Sequence, residues 1–272
     1  MPKQKDNTSE DPNAKIKLGE RDLKILRFVG RFRLSTLDIL WKRFFPGQAR
    51  DAAKSTVRRL LGRGPTYRHL RPQSLDGVRV AYRLTRRGCR EIGVSERLAR
   101  PLGPRAKVER LAVLAFLYQS PETRKAIVGQ KLRDFLELDR GERLPKATFF
   151  MENSDTRTRL GVLFIDCGGH PRGIATRSAR KVSRYLDEHW FDDEIRARRF
   201  VLSILTGRKS KVTSLKKYVA NALDTDLEWA ARQLLGDELL SDFLQVEVVH
   251  VPEIENLLPG RNDRGSNPQQ RR

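Results

Sequence analysis

The stretch from Leu18 to Gly93 most constrains the fold, because it reads as three short amphipathic helices followed by a hairpin. The third helix has the clearest pattern. In residues 48–64, QARDAAKSTVRRLLGRG, apolar residues recur at the i, i+4, i+7, i+8 spacing of a buried helix face. Basic residues fall on the opposite side, so the pattern predicts one buried and one cationic face. The apolar positions are Ala53, Val57, Leu60 and Leu61, and the basic ones are Arg50, Lys54 and Arg58.

Two further helices are predicted upstream. The first has apolar residues between Leu23 and Val29 and ends near Gly30, because glycine ends helices readily. Ser35 is predicted to cap the second helix, whose apolar stripe runs from residue 37 to residue 45. Pro46 and Gly47 then close it, because neither continues a helix easily.

Two strands, residues 67–72 and 78–84, are predicted after the third helix. They flank Ser74–Gly77, whose Asp-Gly pair tolerates the positive φ of a tight turn. In the second strand Val78, Val80, Tyr82 and Leu84 alternate with Arg79, Ala81 and Arg83. The alternation predicts one apolar face and one basic face. Three helices followed by such a hairpin form the order of a winged helix-turn-helix, in which the hairpin is the wing.

A winged helix-turn-helix places its third helix in the major groove of DNA and its wing along the backbone or an adjacent groove. We therefore predict double-stranded DNA as the partner. Arginine pairs with guanine or clamps phosphate, and the sequence leaves both roles open. A solvated helix face and an edge strand protected by charge are the structural alternatives. The predicted DNA-binding residues are Arg50, Lys54, Ser55, Arg58, Arg59, Arg63, Arg71, Arg79, Arg83, Arg86 and Arg87.

The net charge favours the same kind of partner. Of 55 Lys and Arg residues, 25 lie in residues 1–100, together with only 10 of the 34 Asp and Glu. These residues therefore hold +15 of the formal charge of +21. A charge this lopsided favours polyanions, because each neutralised phosphate releases a counterion.

Other classes of protein are disfavoured. No apolar run approaches the ~20 residues that cross a bilayer, and the start, MPKQKDNTSEDPN, lacks the apolar core of a secretory signal. We expect a cytoplasmic protein with no membrane partner. Cys89 and Cys167 have no CxxC or Cys-His spacing, so we expect small apolar side chains rather than a disulfide framework or a zinc site. The polar ends, 1–17 (basic) and 259–272, are predicted to be disordered.

A joint rich in Pro and Gly, residues 98–104, separates the first predicted domain, 18–97, from a second, 105–258. Strands and helices alternate in the second domain, which predicts a mostly parallel or mixed sheet and an α/β (α+β) fold class. Helices are predicted at 107–118, 123–138, 174–190, 211–223 and 227–240, and strands at 147–151, 160–165, 199–205 and 244–251.

Several segments together resemble one family. They are LGERDLKILRFVGRFRLSTLDIL at 18–40, RRLLGRG at 58–64, AYRLTRRG at 81–88, FIDCGG at 164–169 and RKVSRY at 180–185. The chain resembles the replication-relaxation family of plasmids and integrative elements, which is similar to MobC-type relaxases. The resemblance covers residues 18–252 and is most specific in the L-T-x-x-G pattern that ends at Gly88. It implies a winged helix joined to a domain of restriction-endonuclease-like, PD-(D/E)xK-like fold, acting in plasmid replication, mobilisation or related control.

The resemblance also implies where nuclease chemistry would lie. Members with that chemistry carry an acid after a proline, an acidic pair in the next strand and a lysine beyond it, and the acids hold a divalent ion. Here Lys146 stands at the first position and Phe164 at the second, which leaves Asp166 and the matching Lys181. We therefore expect a catalytically degenerate centre that holds no metal or cofactor, with Asp166 and Lys181 as weak catalytic candidates.

Four residue sets in the second domain carry alternative or additional predictions. For Asp166 the alternative to a catalytic role is a structural one, in which its carboxylate forms a local hydrogen bond. For Glu152 and Asp155 the alternative is a metal site that replaces the degenerate one. The acidic stretch from Asp224 to Asp242 is a possible docking place for a protein partner. A phosphate-binding surface is predicted from Lys146, Arg172, Arg177, Arg180, Lys181 and Arg184.

We arrive at one leading hypothesis and two alternatives. The leading one is a sequence-selective double-stranded DNA-binding protein of a mobile genetic element, acting in replication, mobilisation, transposition or transcriptional control. Its nuclease-like domain grips DNA, dimerises, or recruits a replication, transfer or transposition protein. The first alternative is an active Mg²⁺-dependent relaxase or nickase at a transfer or replication origin. The second is an interaction adaptor whose charge is incidental.

Overall fold

The computed structural model describes residues 17–62, 68–119, 124–138, 143, 145, 147–153 and 157–258. The two segments predicted to be disordered lie outside these ranges, except for Lys17. The chain divides into two compact units, unit 1 (Met1–Leu102) and unit 2 (Gly103–Arg272).

Unit 1 combines short helices with a three-stranded antiparallel sheet of order β1–β3–β2. Its elements are α1 (Glu20–Phe32), β1 (Ser35–Thr36), α2 (Leu37–Phe44), α3 (Arg50–Leu61), β2 (Leu70–Ser74), β3 (Val80–Leu84) and α4 (Arg86–Glu91), followed by a 3-10 turn at Glu96–Ala99. Leu26 and Val29 of α1 and Leu60 of α3 are fully buried, because residues three or four apart share one helix face. The rings of Phe28 and Phe44 meet edge to face with centroids 5.3 Å apart, which joins α1 to α2.

The start of α2 differs from the prediction by one residue. Thr36, not Ser35, is the cap, and its Oγ1 atom accepts a hydrogen bond from the Ile39 backbone nitrogen at 3.4 Å. Ser35 is extended and pairs with Tyr82 across β1 and β3. The prediction was wrong because a two-residue strand is too short to leave a periodic pattern.

Unit 2 contains a mixed five-stranded sheet of order β4–β5–β6–β7–β8. Strands β4, β5 and β6 are antiparallel, whereas β6, β7 and β8 are parallel. The mixed α/β class predicted for the chain is therefore confirmed. The elements are α5 (Pro104–Gln119), β4 (Arg124–Ile127), α6 (Gln130–Phe135), β5 (Thr148–Asn153), β6 (Thr158–Asp166), α7 (Pro171–Asp187), α8 (Asp192–Arg196), β7 (Phe200–Thr206), α9 (Val212–Asp226), α10 (Glu228–Leu235), α11 (Leu240–Phe243) and β8 (Gln245–His250), with 3-10 turns at Lys209–Lys211 and Pro252–Leu257.

Both faces of this sheet are covered by helices. Phe149 and Phe150 are adjacent in β5, so their side chains point to opposite faces. The Phe150 ring meets Phe116 of α5 at 4.9 Å between centroids, whereas the Phe149 ring lies 5.9 Å from Tyr185 of α7. All three phenylalanines are fully buried. The sheet thus lies between α5 on one face and α7 on the other.

The helix predicted at 123–138 is wrong in its first part. Residues 124–127 form β4, which pairs with β5, and Gly129 has a positive φ of 57° just before the short α6. Arg124 lies opposite Glu152, and its Nε atom donates to the Glu152 carboxylate at 2.7 Å. A short apolar run fits a helix and a strand equally well, and here the pairing with β5 decides between them.

Candidate functional site

Helix α3 presents the predicted cationic face to solvent. Ala53, Val57 and Leu60 are at most 2% exposed and pack the helix against the rest of unit 1. Lys54 and Arg58, one turn apart on the other side, are exposed, and no ion pair or side-chain hydrogen bond engages either within the described part of the chain. These two cations are therefore available to a ligand. The exposed residues of this face are Arg50, Lys54, Ser55, Arg58 and Arg59.

Two of the predicted arginines on α3 are held by carboxylates of other helices. Arg59 Nη2 lies 2.6 Å from Oδ1 of Asp22, a nearly buried residue of α1 that also accepts from the Gly19 backbone nitrogen at 2.9 Å. Arg50 Nε lies 2.8 Å from Asp38 Oδ1 of α2, and both partners are more than half exposed. The Arg59 pair ties α3 to α1, whereas an exposed pair such as that of Arg50 is weak and yields readily to a competing anion.

The turn of the β2–β3 hairpin is fixed by side-chain hydrogen bonds. Ser74 Oγ accepts from the Gly77 nitrogen at 3.0 Å, and Asp76 Oδ1 accepts from the Arg79 nitrogen at 2.8 Å. Arg79 Nε donates to Asp76 Oδ2 at 2.6 Å. The hydrogen bond from the Arg79 backbone lowers the pKa of Asp76, so the carboxylate is ionised at neutral pH and shapes the turn. Arg79 is consequently both a surface cation and a part of the turn.

The two faces of β3 are the reverse of the prediction along part of the strand. Ala81 is fully buried and Arg83 is 8% exposed, whereas Val78 and Val80 are 89% and 45% exposed. Arg83 Nη1 donates to the Ala99 carbonyl oxygen, so the side chain points toward the segment after α4. That segment covers a strand face that the alternation assigned to solvent. The expectation that Arg83 lies on an exposed basic face is therefore wrong.

The L-T-x-x-G pattern has a structural role at the junction of hairpin and α4. Thr85 caps α4, and its Oγ1 atom accepts from the Gly88 nitrogen at 3.1 Å. A Cβ atom on Gly88 would lie 2.3 Å from the His69 carbonyl oxygen, so only glycine fits there. The pattern therefore marks close packing of α4 against the start of the hairpin.

The remaining predicted residues of unit 1 lie on or beside the hairpin. Arg71 on β2 is exposed. Arg86 is exposed at the start of α4, with Nε 3.8 Å from Glu96 Oε2. Arg87 Nε lies 3.6 Å from Glu91 Oε1. Arg63 lies outside the described residues.

In unit 2, Asp166 lies buried at the end of β6. Its Oδ1 atom accepts from the Gly168 nitrogen at 2.9 Å, and Oδ2 accepts from Thr206 Oγ1 at 3.0 Å. Lys211 Nζ donates to Asp166 Oδ2 and to the Gly169 carbonyl oxygen, each at 2.8 Å. The bond with Gly168 is the local hydrogen bond that was predicted as the alternative to a catalytic role for Asp166. The buried ion pair with Lys211 was not predicted from the sequence.

The position of Lys211 relative to the strands could have predicted its contact with Asp166. Asp166 and Thr206 are paired in the register of the parallel strands β6 and β7, and Lys211 follows shortly after β7. The carboxyl ends of parallel strands lie at one edge of a sheet, so residues just beyond neighbouring strands meet there.

Lys181 and Asp166 form no ion pair or hydrogen bond with each other. Its Nζ atom lies 4.7 Å from the centre of the Phe164 ring, an arrangement of cation and aromatic face. Burial, and then the charge of Arg184, lower the pKa of Lys181. The predicted phosphate-binding arginines Arg172, Arg177, Arg180 and Arg184 are all exposed on α7, and Lys146 lies outside the described residues.

Glu152 is occupied by two arginines. Arg124 donates to Oε1 at 2.7 Å, and Arg159 donates to Oε2. Burial alone raises the pKa of Glu152, but the hydrogen bonds from Arg124 and Arg159 outweigh it and lower the pKa overall. The residue therefore forms a cross-strand ion-pair cluster, and Asp155, its predicted partner in a replacement metal site, lies outside the described residues.

Neither cysteine is placed for thiolate chemistry. Cys89 is fully buried, and burial raises its pKa. Burial, followed by the charge of Glu109, raises the pKa of Cys167 to about 11. Both side chains are thus protonated at neutral pH.

Within the described ranges, no group of three or more His, Cys, Asp or Glu side chains is arranged to hold a metal ion. Among the helices in those ranges, none has the length and apolar character needed to cross a membrane. In the acidic stretch 224–242, Asp224 accepts hydrogen bonds from the Ser241 nitrogen and hydroxyl at 3.0 and 2.9 Å, so this carboxylate joins α9 to α11.

Comparison of the chain with protein-family models, with curated proteins and with solved structures found no significant match in any of the three.

Proposed function

We propose that the chain is a sequence-selective double-stranded DNA-binding protein whose unit 1 acts as a winged helix-turn-helix. In this proposal α3 enters the major groove and the β2–β3 hairpin lies along the backbone. A major groove admits one α-helix, and its base edges are read by side chains on the inserted face.

The observation that carries the proposal is the pair Lys54 and Arg58. Both are exposed on α3, neighbours on one helix face, and without a protein partner among the described residues. An arginine left free on a rigid helix can pair bidentately with guanine or hold a phosphate. The apolar residues of α3 anchor its opposite face, and the bond between Arg59 and Asp22 ties the helix to α1 as well. A rigid support of this kind favours selective binding, because little side-chain or backbone order is lost on association.

The order of elements supports the assignment as well. A short turn separates α2 from α3, and Trp41 Nε1 donates to the Gln48 carbonyl oxygen at 2.7 Å across it. The hairpin follows α3 and exposes Val78 and Val80 near its tip. Helix, turn, helix and hairpin in this order agree with the docking geometry of helix-turn-helix proteins.

We extend the proposal to unit 2, as a catalytically degenerate nuclease-like domain of a mobile-element protein. This part rests on the motifs that resemble the replication-relaxation family. Asp166, the acid retained from the family pattern, has its carboxylate engaged by Lys211, Thr206 and Gly168. A metal ion would have to displace the Lys211 ammonium group, so the residues present do not fit a Mg²⁺ site at Asp166. The exposed arginines of α7 favour DNA gripping as the role of this unit.

Selection from a pool of duplexes with a randomised central segment tests the proposal. The full chain is incubated with the pool, bound duplexes are amplified, and the affinity of the enriched sequence is compared with that of an unselected duplex. We expect enrichment of one sequence. Such sites are typically bound about 10³-fold or more tighter than other DNA at physiological salt. Absence of enrichment, or equal affinity for both duplexes, would contradict selective recognition.

A supercoiled plasmid carrying the enriched sequence tests the relaxase alternative. It is incubated with the protein, with and without Mg²⁺. We expect no conversion to the nicked form, and the alternative gains support only from a nick that Asp166→Asn abolishes.

A further inference from the structure

An arginine-lined cavity of about 580 Å³ lies beside the hairpin in unit 1. We call it the arginine pocket. Its walls include five arginines and one acid, so its charge is strongly positive. These residues are Arg71, Arg83, Arg86, Arg97, Arg100 and Glu96.

Arg83 is the least expected member of this set. The residue is only 8% exposed, and its Nη1 atom donates to the Ala99 carbonyl oxygen, while its Nε atom is buried and finds no hydrogen-bond partner among the described residues. No carboxylate forms an ion pair with Arg83 within the described residues, and burial followed by the charge of Arg71 lowers its pKa. Burying a guanidinium group without an opposite charge is costly. An anion in the pocket would remove that cost.

The other arginines leave most of this positive charge uncompensated. Glu96 faces Arg86 at 3.8 Å and Arg90 at 3.5 Å, and these long contacts share one carboxylate between two cations. Arg97 and Arg100 are exposed, and no ion pair engages either within the described part of the chain. Several guanidinium groups around one cavity suit an anion with many oxygen atoms, because each group can donate two parallel hydrogen bonds to a phosphate.

We propose that the arginine pocket binds a ligand that carries two or more phosphate groups and has the size of a nucleotide. The volume lies within the range of about 300 to 1,000 Å³ that is common for small-molecule sites. Ala99 and Pro101 supply an apolar part of the wall beside the charged groups. The phosphates come either from a free phosphorylated molecule or from the DNA backbone. With a free ligand this inference goes beyond the proposed function, since such binding requires no recognition of DNA, whereas with the DNA backbone as the source it rests on the proposed function.

Calorimetric titration of the full chain with inorganic pyrophosphate and with ATP, in the absence of DNA, tests the first source. We expect saturable binding of one molecule per chain. The double variant Arg97→Gln/Arg100→Gln should weaken it about tenfold or more, because each lost charge-assisted hydrogen bond contributes strongly. The matched control is Lys24→Gln/Arg27→Gln, which removes the same charge from exposed residues of α1 outside the pocket and should change the affinity less than about twofold.

Thermal unfolding gives a readout specific to Arg83. Pyrophosphate should raise the Tm of the wild type, because a ligand that binds only the folded state stabilises it. Arg83→Met should unfold at a Tm at or above that of the ligand-free wild type, and pyrophosphate should no longer shift it. Should Arg83→Met fail to fold, the comparison of the Arg97/Arg100 variant with its control still decides the matter.

Duplex binding at about 50 and 200 mM salt tests the second source. If pyrophosphate does not bind, but Arg97→Gln/Arg100→Gln weakens binding to all duplexes and reduces the salt dependence relative to the control variant, the phosphates belong to the DNA backbone. The proposal is overturned if Arg97→Gln/Arg100→Gln matches its control both in the calorimetric titrations and in duplex binding. Because the pyrophosphate titration contains no DNA, its failure is distinct from a failure of the proposed function.

Discussion

The Nζ atom of Lys211 lies 2.8 Å from Oδ2 of Asp166, and the Asp166 side chain is fully buried. This pair places a fixed cation beside an acid that the sequence predicted as a weak catalytic candidate. Thr206 and Gly168 donate to the same carboxylate. The Asp166 carboxylate therefore serves to join the ends of β6 and β7 to the start of α9.

Substitution of Lys211 by methionine should destabilise unit 2. Lys211→Met leaves a buried carboxylate without its counter-ion, and breaking such a pair costs about 3 kcal/mol or more. Equilibrium unfolding in urea, followed by circular dichroism, measures the change in the free energy of unfolding.

A matched control and a double variant complete this experiment. Lys209→Met changes an exposed lysine two residues away and should alter the free energy of unfolding by less than about 0.5 kcal/mol. Asp166→Asn/Lys211→Met should recover much of the loss, because it removes both charges. Wild-type stability of Lys211→Met would show that the ion pair does not hold the strand ends.

The sequence predicted those helices and strands whose pattern of apolar residues is complete within a short segment. The apolar face of α3 recurs within three turns of helix, and strands β5, β6 and β7 contain runs of apolar residues, so both were visible in the sequence. The ion pair of Asp166 and Lys211 was not, because it joins residues 45 positions apart. Only the parallel register of β6 and β7 brings them together.

The facing of β3 shows a second limit of sequence patterns. The alternation correctly predicted that successive side chains of β3 point to opposite faces. It could not predict which of the two faces another segment of the chain covers. The turn at Glu96–Ala99 supplies the carbonyl oxygen that accepts from Arg83, and that contact buries the basic side. The arginine pocket follows from this contact between β3 and the segment after α4, so neither stretch alone predicted it.

Gly88→Ala should destabilise unit 1. The added Cβ atom would lie 2.3 Å from the His69 carbonyl oxygen, so the backbone must shift. Overpacking of this kind typically costs about 1 to 3 kcal/mol. Thermal unfolding of the full chain measures it. The control is Gly103→Ala, where an added Cβ atom would meet no atom of the described residues within 4 Å. Equal stability of the two variants would refute the close packing of α4.

Glu152 should contribute a stability that depends on pH. Its pKa in the folded chain lies below the ordinary value of 4.5, because Arg124 and Arg159 donate to the ionised form. The contribution is therefore fully present above pH 4.5 and is lost as the pH falls through the lower folded value. The difference in unfolding free energy between wild type and Glu152→Gln should be constant near neutral pH and shrink below pH 4.5.

The control for Glu152 is Glu228→Gln, since Glu228 is 61% exposed and forms an exposed ion pair with Arg232 one turn away. Urea unfolding at a series of pH values measures both variants. We expect a difference from wild type that is small at every pH for the control. A difference for Glu152→Gln that grows toward acid would reverse the sign of the assigned pKa shift.

Substitutions of the adjacent residues Arg58 and Arg59 on α3 should have different effects, one on DNA binding and the other on stability. Arg58 is exposed and unpaired within the described residues, whereas Arg59 donates to the nearly buried Asp22 at 2.6 Å. Arg58→Ala should weaken binding to the selected duplex by about 1 to 3 kcal/mol without changing the Tm, because a lost base contact costs about that much.

Arg59→Ala should instead lower the free energy of unfolding by about 1 to 3 kcal/mol, because the nearly buried Asp22 carboxylate loses its cationic partner. Fluorescence anisotropy with the selected duplex and thermal unfolding are measured on both variants. An unchanged affinity for Arg58→Ala, or a loss that is equal for selected and unselected duplexes, would mean that Arg58 does not read bases. The exposed face of α3 would then contact phosphates only, and selectivity would have to come from another part of unit 1.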